Sequence, residues 1–102
     1  MQPDKPSAAV IYVIHTEVNK VEGIVELAKE LTKEKLEFES GILQVVVMKN
    51  QSGRNDEVHI LVLLRDYRYL ADFTGKETVK KLFSSGVKIE TRFLNIESIL
   101  NL

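Results

Sequence analysis

Two histidines, His15 and His59, and one carboxylate, Glu90, are the side chains whose types and places along the chain suit acid–base work. Imidazole is the side chain that changes charge near neutral pH, and a neighbouring carboxylate can orient it or share its proton. The chain holds only these two histidines. His15 closes the first apolar run and His59 stands near the start of the third, so antiparallel pairing of those runs would bring both to one end of a sheet. Ile11, Val13 and His15 alternate onto one face of their strand, as do His59, Leu61 and Leu63. Glu90, early in the last apolar run, can join them. The trio His15, His59 and Glu90 therefore reads as a catalytic cluster for proton transfer. A His, His, carboxylate set can also ligate a metal, but no metal site is assigned. The plainer reading is a pair of rim histidines bonded to solvent.

A second set of residues suits ligand binding. Tyr12, Tyr67 and Tyr69 carry hydroxyls that can donate to a bound molecule, Phe73 and Phe83 can wall an apolar pocket, and Arg65 and Arg92 can grip a carboxylate. Their ordinary roles are edge packing for the tyrosines and cross-strand ion pairing for the arginines. Gly75-Lys76 resembles the end of a phosphate-binding loop, but Ala71 stands where the upstream glycine belongs, and helix capping accounts for Thr74 and Glu77 better.

Composition closes off several classes. Of the 102 residues, 14 are Lys or Arg and 15 are Asp or Glu, a balance that argues against nucleic acid or an anionic membrane as partner, because both need a basic surface. Cysteine is absent, so disulfides, thiolate catalysis and Cys-ligated zinc are excluded. Residues 1–7, with Pro3 and Pro6, read as a flexible N-terminal arm, and residues 8–102 as one domain. The start of the chain lacks the basic stretch and apolar run of a signal peptide, and no apolar run is long enough to span a bilayer, which points to a cytoplasmic protein.

The elements that must position these residues follow from periodicity. Ala8 to Glu17 is short, β-branched and apolar at odd and even positions, a strand buried on both faces. Asn19 and Glu22 have the spacing of a capping box, which predicts a helix from about Lys20. Val21, Ile24, Val25, Ala28 and Leu31 then form its apolar stripe, and Glu26, Lys29, Glu30 and Lys33 its solvated side. Ser40-Gly41 is expected to end that helix, with Gly41 in a left-handed position. Ile42 to Lys49 and Glu57 to Arg65 are two strands joined by a polar loop, an antiparallel hairpin. Asp66 opens a second helical region, in which Leu70 and Phe73 are out of phase with Val79, Leu82 and Phe83. A short turn through Phe73 followed by a new helix from Gly75 to about Ser85 resolves that mismatch, and Val87 to Leu94 makes a fourth strand.

The order strand, helix, strand, strand, helix, strand is that of an α+β, ferredoxin-like fold. Right-handed crossovers place strands one and three centrally in a four-stranded antiparallel sheet, with strand four beside one, strand two beside three and both helices on one face. Strands one and three are nonetheless apolar on both sides. An uncovered side would be a contiguous apolar patch of the kind soluble monomers avoid, so the chain is expected to form a homodimer, sheet to sheet, with the apolar tail from Asn95 onward as a further contact.

Gly41-Ile42-Leu43 opening the second strand, the interrupted helical region from Arg65 to Gly86, and the run from Leu82 to Ile96 resemble the dimeric α+β barrel proteins. That superfamily includes the antibiotic-biosynthesis monooxygenases. The resemblance implies a barrel formed by two sheets and a pocket between sheet and helices in each subunit, which would take a hydrophobic or aromatic small molecule without a cofactor. Cofactor-independent and haem-degrading members of the family use an Asn on strand one, a Trp near the end of strand three and a His on the second helix. None of the three is found here, which argues against haem degradation. The alternative is a non-catalytic dimerisation or ligand-sensing module.

Overall fold

The computed structural model describes residues 5–38, 41–50, 56–74, 77–85 and 88–101. Strand β1 (Ala8–His15) is followed by a 3-10 turn (Val18–Lys20) and helix α1 (Val21–Phe38), then by strands β2 (Ile42–Lys49) and β3 (Glu57–Leu64). A second 3-10 turn (Tyr67–Tyr69) leads into helix α2 (Leu70–Thr74), helix α3 (Glu77–Ser84) and strand β4 (Lys88–Asn95). The second helical region is thus in two pieces, as the phase change after Phe73 requires. Asp66 starts it by accepting a hydrogen bond from the Arg68 amide at 2.9 Å.

All pairings are antiparallel and the sheet order is β2-β3-β1-β4. Directly opposed residues share a face, so the register sorts the side chains without ambiguity. One face carries Ile42 opposite Leu64 and Ala8, Val45 opposite Val62 and Val10, and Val47 opposite Ile60 and Tyr12. On this face the helices contribute Ile24, Val25, Ala28, Phe73, Val79 and Leu82, and together these residues form the core. Val10, Ile14, Val58, Ile60 and Val62 are completely shielded. At about 25 cal/mol per Å² of apolar surface, burying each such side chain contributes roughly 1.5–3 kcal/mol before conformational entropy is charged against it.

β2 keeps this alignment only through an irregularity. Ile42 pairs with Leu64 and Gln44 with Leu63, which leaves Leu43 as the extra residue of a β-bulge. The bulge lets Ile42 and Val45 both face the helices, and it turns Gln44 to the other side.

Two local expectations are corrected. Asn19 does not cap α1. It lies inside the 3-10 turn, whereas a cap residue must stand outside the helix in extended conformation. Glu17 occupies that position, and its side chain makes no cap bond. Gly41 does not take up a left-handed conformation. Its requirement is space: a Cβ built on it would fall inside the ring of Tyr69, which packs over it and against the core. Gly75 and Gly86 lie outside the described residues. No described helix is long and apolar enough to cross a membrane.

Candidate functional site

The face of the sheet turned away from the helices presents three transverse rows. The first is Gln44, Leu63, Ala9 and Leu94; the second is Val46, Leu61, Ile11 and Arg92; the third is Met48, His59, Val13 and Glu90. None of these residues belongs to the core cluster. Ile11, Val13, Val46, Leu61 and Leu63 are half-buried by their neighbours within the sheet, while Met48 and Leu94 are exposed. Beyond the third row, Glu57 lies opposite His15, and His15 opposite Lys88.

At that end the polar side chains form a continuous chain. His15 Nε2 lies 3.1 Å from Glu90 Oε2, and His15 Nδ1 lies 3.2 Å from Glu57 Oε2. His59 Nε2 lies 3.1 Å from Glu57 Oε1, to which Asn50 Nδ2 also donates, at 3.2 Å. Lys88 Nζ approaches the other oxygen of Glu90 at 3.9 Å. Both nitrogens of His15 therefore face carboxylates, and a ring carrying a proton on each nitrogen donates to both. Hydrogen bonds from His59 and then Asn50 hold the Glu57 carboxyl below the usual carboxylate range, against a smaller opposing effect of burial. The hydrogen bond from His15, followed by the charge of Lys88, does the same for Glu90.

Three of the four members were singled out from the sequence, and Glu57, which bridges the two histidines, was not. The signal for it is the spacing Glu57-x-His59 at the start of a strand, which puts both side chains on one face. Pairing Glu57 with His15 then needs the β1–β3 register, which no local pattern encodes. Chemically the chain can pass protons between the β4 edge and His59. Among the described residues, no group of three His, Cys, Asp or Glu is arranged to hold a metal ion.

The ligand-type residues divide among four places. Tyr12, Phe73 and Phe83 pack on one another beneath the helices, with Tyr12 ring centroids 6.0 Å from Phe73 and 4.9 Å from Phe83. Tyr12 is 2% exposed, its hydroxyl has no hydrogen-bond partner among the described residues, and burial pushes its pKa up to about 12. Tyr69 covers Gly41, and Arg65 follows β3 half-buried. Arg92 is exposed in the second row of the open face.

Tyr67 borders a cleft. That cleft, of about 450 Å³, lies between the 67–70 turn and the outer part of the sheet, walled by Ala8, Val10, Leu64, Leu70 and Phe93 with Asn95 at its end. It exists because α1 packs on β2 and β3, which leaves β4 largely bare on the helix side; Phe93 is 64% exposed there.

No protein-family model matches the chain, and no curated protein sequence matches it. Solved structures do. A putative antibiotic biosynthesis monooxygenase from Deinococcus radiodurans superimposes with a TM-score of 0.76 over 93% of this chain and 97% of its own, at 9% identity. A dimeric ferredoxin-like protein from an uncultured marine organism gives 0.73 over 97% and 95%, at 14% identity. A Bacteroides thetaiotaomicron protein of unknown function, described as a possible oxidoreductase, gives 0.72 over 90% and 100%, at 18% identity. Likeness at such identities speaks to the fold alone, and by fold this chain is a ferredoxin-like α+β protein.

Proposed function

We propose that the chain is a homodimer, like its dimeric ferredoxin-like neighbour, and that each subunit binds a hydrophobic or aromatic small molecule, as a monooxygenase-like protein would. The observation that carries the reading is the apolar cleft beside Tyr67. Its volume suits a ligand of one or two rings, and the Tyr67 hydroxyl and the Asn95 amide supply the few polar groups that orient such a ligand. The uncovered apolar face supports the dimer.

The position of the cleft also bears on whether the ligand reacts. The cleft opens at the Ala8 end of β1 and the His–Glu chain sits at the His15 end, seven residue steps away, which is roughly 23 Å at about 3.3 Å per step. One small molecule in the cleft cannot touch the cluster of the same subunit, and among the described residues no histidine or arginine lines the cleft. This favours the second reading, a non-catalytic ligand-sensing or dimerisation module, over turnover within the cleft.

Amide chemical shifts of 15N-labelled protein titrated with 1-naphthol test the binding site. The expected changes fall at Ala8 to Val10, Tyr67, Leu70 and Phe93 to Asn95, and Tyr67→Ala weakens them. Saturable changes centred elsewhere would reject the cleft. Consumption of oxygen with a bound phenol would reject the non-catalytic reading.

A further inference from the structure

The open face carries a feature that a purely apolar dimer contact does not need. Val13 is flanked within its row by His59 on one side and Glu90 on the other. A flat partner that covers Ile11, Val13 and Leu61 must therefore also cover His59 and strip water from the chain Glu90–His15–Glu57–His59. The groups facing one another there are His15 from β1, Glu57 and His59 from β3, and Glu90, Lys88 and Arg92 from β4, with Asn50 as a neutral donor and Asp56 preceding β3. Side-chain exposures of 31% for His15, 34% for His59 and only 17% for Glu57 leave room for a further loss of water when the face is covered.

The charge count decides what that loss costs. Lys88 stands against Glu90, whereas the ion-pair partners of Glu57 are the two imidazoles. With both imidazoles neutral, covering the face buries the Glu57 carboxylate with no cation paired to it among the described residues, which is strongly unfavourable. With the imidazoles protonated, charges alternate along the chain and each carboxylate oxygen meets a charged donor.

We propose that the second copy closes on this face together with protons, so that the Glu57-bridged histidines make self-association dependent on pH. The inference rests on the homodimer reading above. Association is tightest where imidazoles are protonated and carboxylates are not, and it weakens as pH rises through the range in which histidine loses its charge. Each proton taken up per subunit is two per dimer, and so lets Kd rise by up to about a hundredfold per pH unit above that range.

Sedimentation equilibrium of the full chain at pH 6.0, 7.0 and 8.0, at constant ionic strength, tests this. The expected result is a Kd at least about tenfold weaker at pH 8.0 than at pH 6.0. The double variant His15→Gln, His59→Gln, which keeps donors but cannot charge, loses the pH dependence. Glu57→Gln, which removes the anion needing compensation, dimerises at pH 8.0 about as tightly as the parent chain does at pH 6.0, a gain that a merely structural role for Glu57 would not produce. A dimer whose Kd is the same at all three pH values overturns the proton linkage and leaves the dimer standing. A single-subunit mass at every pH and concentration overturns both.

Discussion

Replacing Tyr12 by Phe should stabilise the protein, which is unusual for a substitution at the centre of a core. Tyr12 is 2% exposed, and its hydroxyl lacks a hydrogen-bond partner among the described residues. A buried hydroxyl without a partner costs about 1–3 kcal/mol in desolvation, and no described residue offsets it. Phe keeps the ring, so the contacts with Phe73 at 6.0 Å and Phe83 at 4.9 Å persist and no cavity larger than one oxygen atom opens. The expected gain is about 1 kcal/mol, or roughly 4–8 °C in Tm for a domain of this size. A second consequence concerns alkaline pH. Burial raises the Tyr12 pKa from 10.0 to about 12, so the folded chain holds a proton that the unfolded chain releases. The stability tied to that proton is complete below pH 10 and is lost as pH rises toward about 12. Urea denaturation at pH 7 and at steps from pH 9.5 to 11.5 measures both effects. Tyr12→Phe should be more stable at pH 7 and should lose less stability across the alkaline steps. Destabilisation by 1 kcal/mol or more at pH 7 would show that the hydroxyl is satisfied in solution, for example by an enclosed water, and would refute the reasoning.

Three further outcomes are expected. Gly41→Ala places a methyl group inside the Tyr69 ring and forces that side chain off the core, so the urea midpoint should fall by an amount equivalent to about 1–3 kcal/mol. Glu57 and Glu90 have depressed carboxyl pKa values, so their contribution is present above the unfolded value near 4.5 and disappears as pH falls below it. A double Gln variant should therefore show a shallower loss of stability between pH 5 and pH 2.5 than the parent chain, and identical slopes would count against the ion pairs. Leu61→Asp puts a carboxylate in the middle row of the open face, and light scattering at 50 µM should then report one subunit with an unchanged far-UV spectrum. A two-subunit mass for that variant would place the dimer contact elsewhere.

Much of the architecture is legible in the chain because its signals are local. The alternation of Val58, Ile60, Val62 and Leu64 against His59, Leu61 and Leu63 is repeated in the burial of β3, position by position. The phase change after Phe73 locates the break between α2 and α3. What local patterns misjudge is how the ends of elements are satisfied. Asn19 and Glu22 have capping-box spacing, but the chain enters α1 through a 3-10 turn whose Lys20 amide donates to the Glu17 carbonyl at 2.9 Å, so the side-chain cap is not used. Gly41 is an end signal whose reason is a ring from 28 residues further on. Leu43 and Gln44 are the clearest limit. Nothing local distinguishes them, and only the match between the β2 and β3 apolar sets shows that one residue must bulge out.

The same limit applies to the candidate site, and it explains why the histidines and the cleft do not form one. Both lie along β1, whose two ends face different surroundings. At the Ala8 end the helices stop short of β4, and the bare helix-side surface becomes an apolar cleft. At the His15 end the opposite face gathers charge, because Glu57 begins β3 where β1 finishes and Glu90 lies diagonally across β1 from it. A pattern of residue types along one strand cannot show that its polar end and its pocket end use opposite faces. The register shows it, and the consequence is functional. On the proposals above, ligand binding at the cleft and proton uptake at the histidines would be separate properties of one sheet. They would influence each other through β1 and its pairing with β3 and β4, or through the proposed second subunit on the open face. Proton-linked dimerisation that leaves the affinity for 1-naphthol unchanged would mean that the two ends are independent. A naphthol affinity that changes with pH in the parent chain, but not in the double histidine variant, would mean that the sheet couples them.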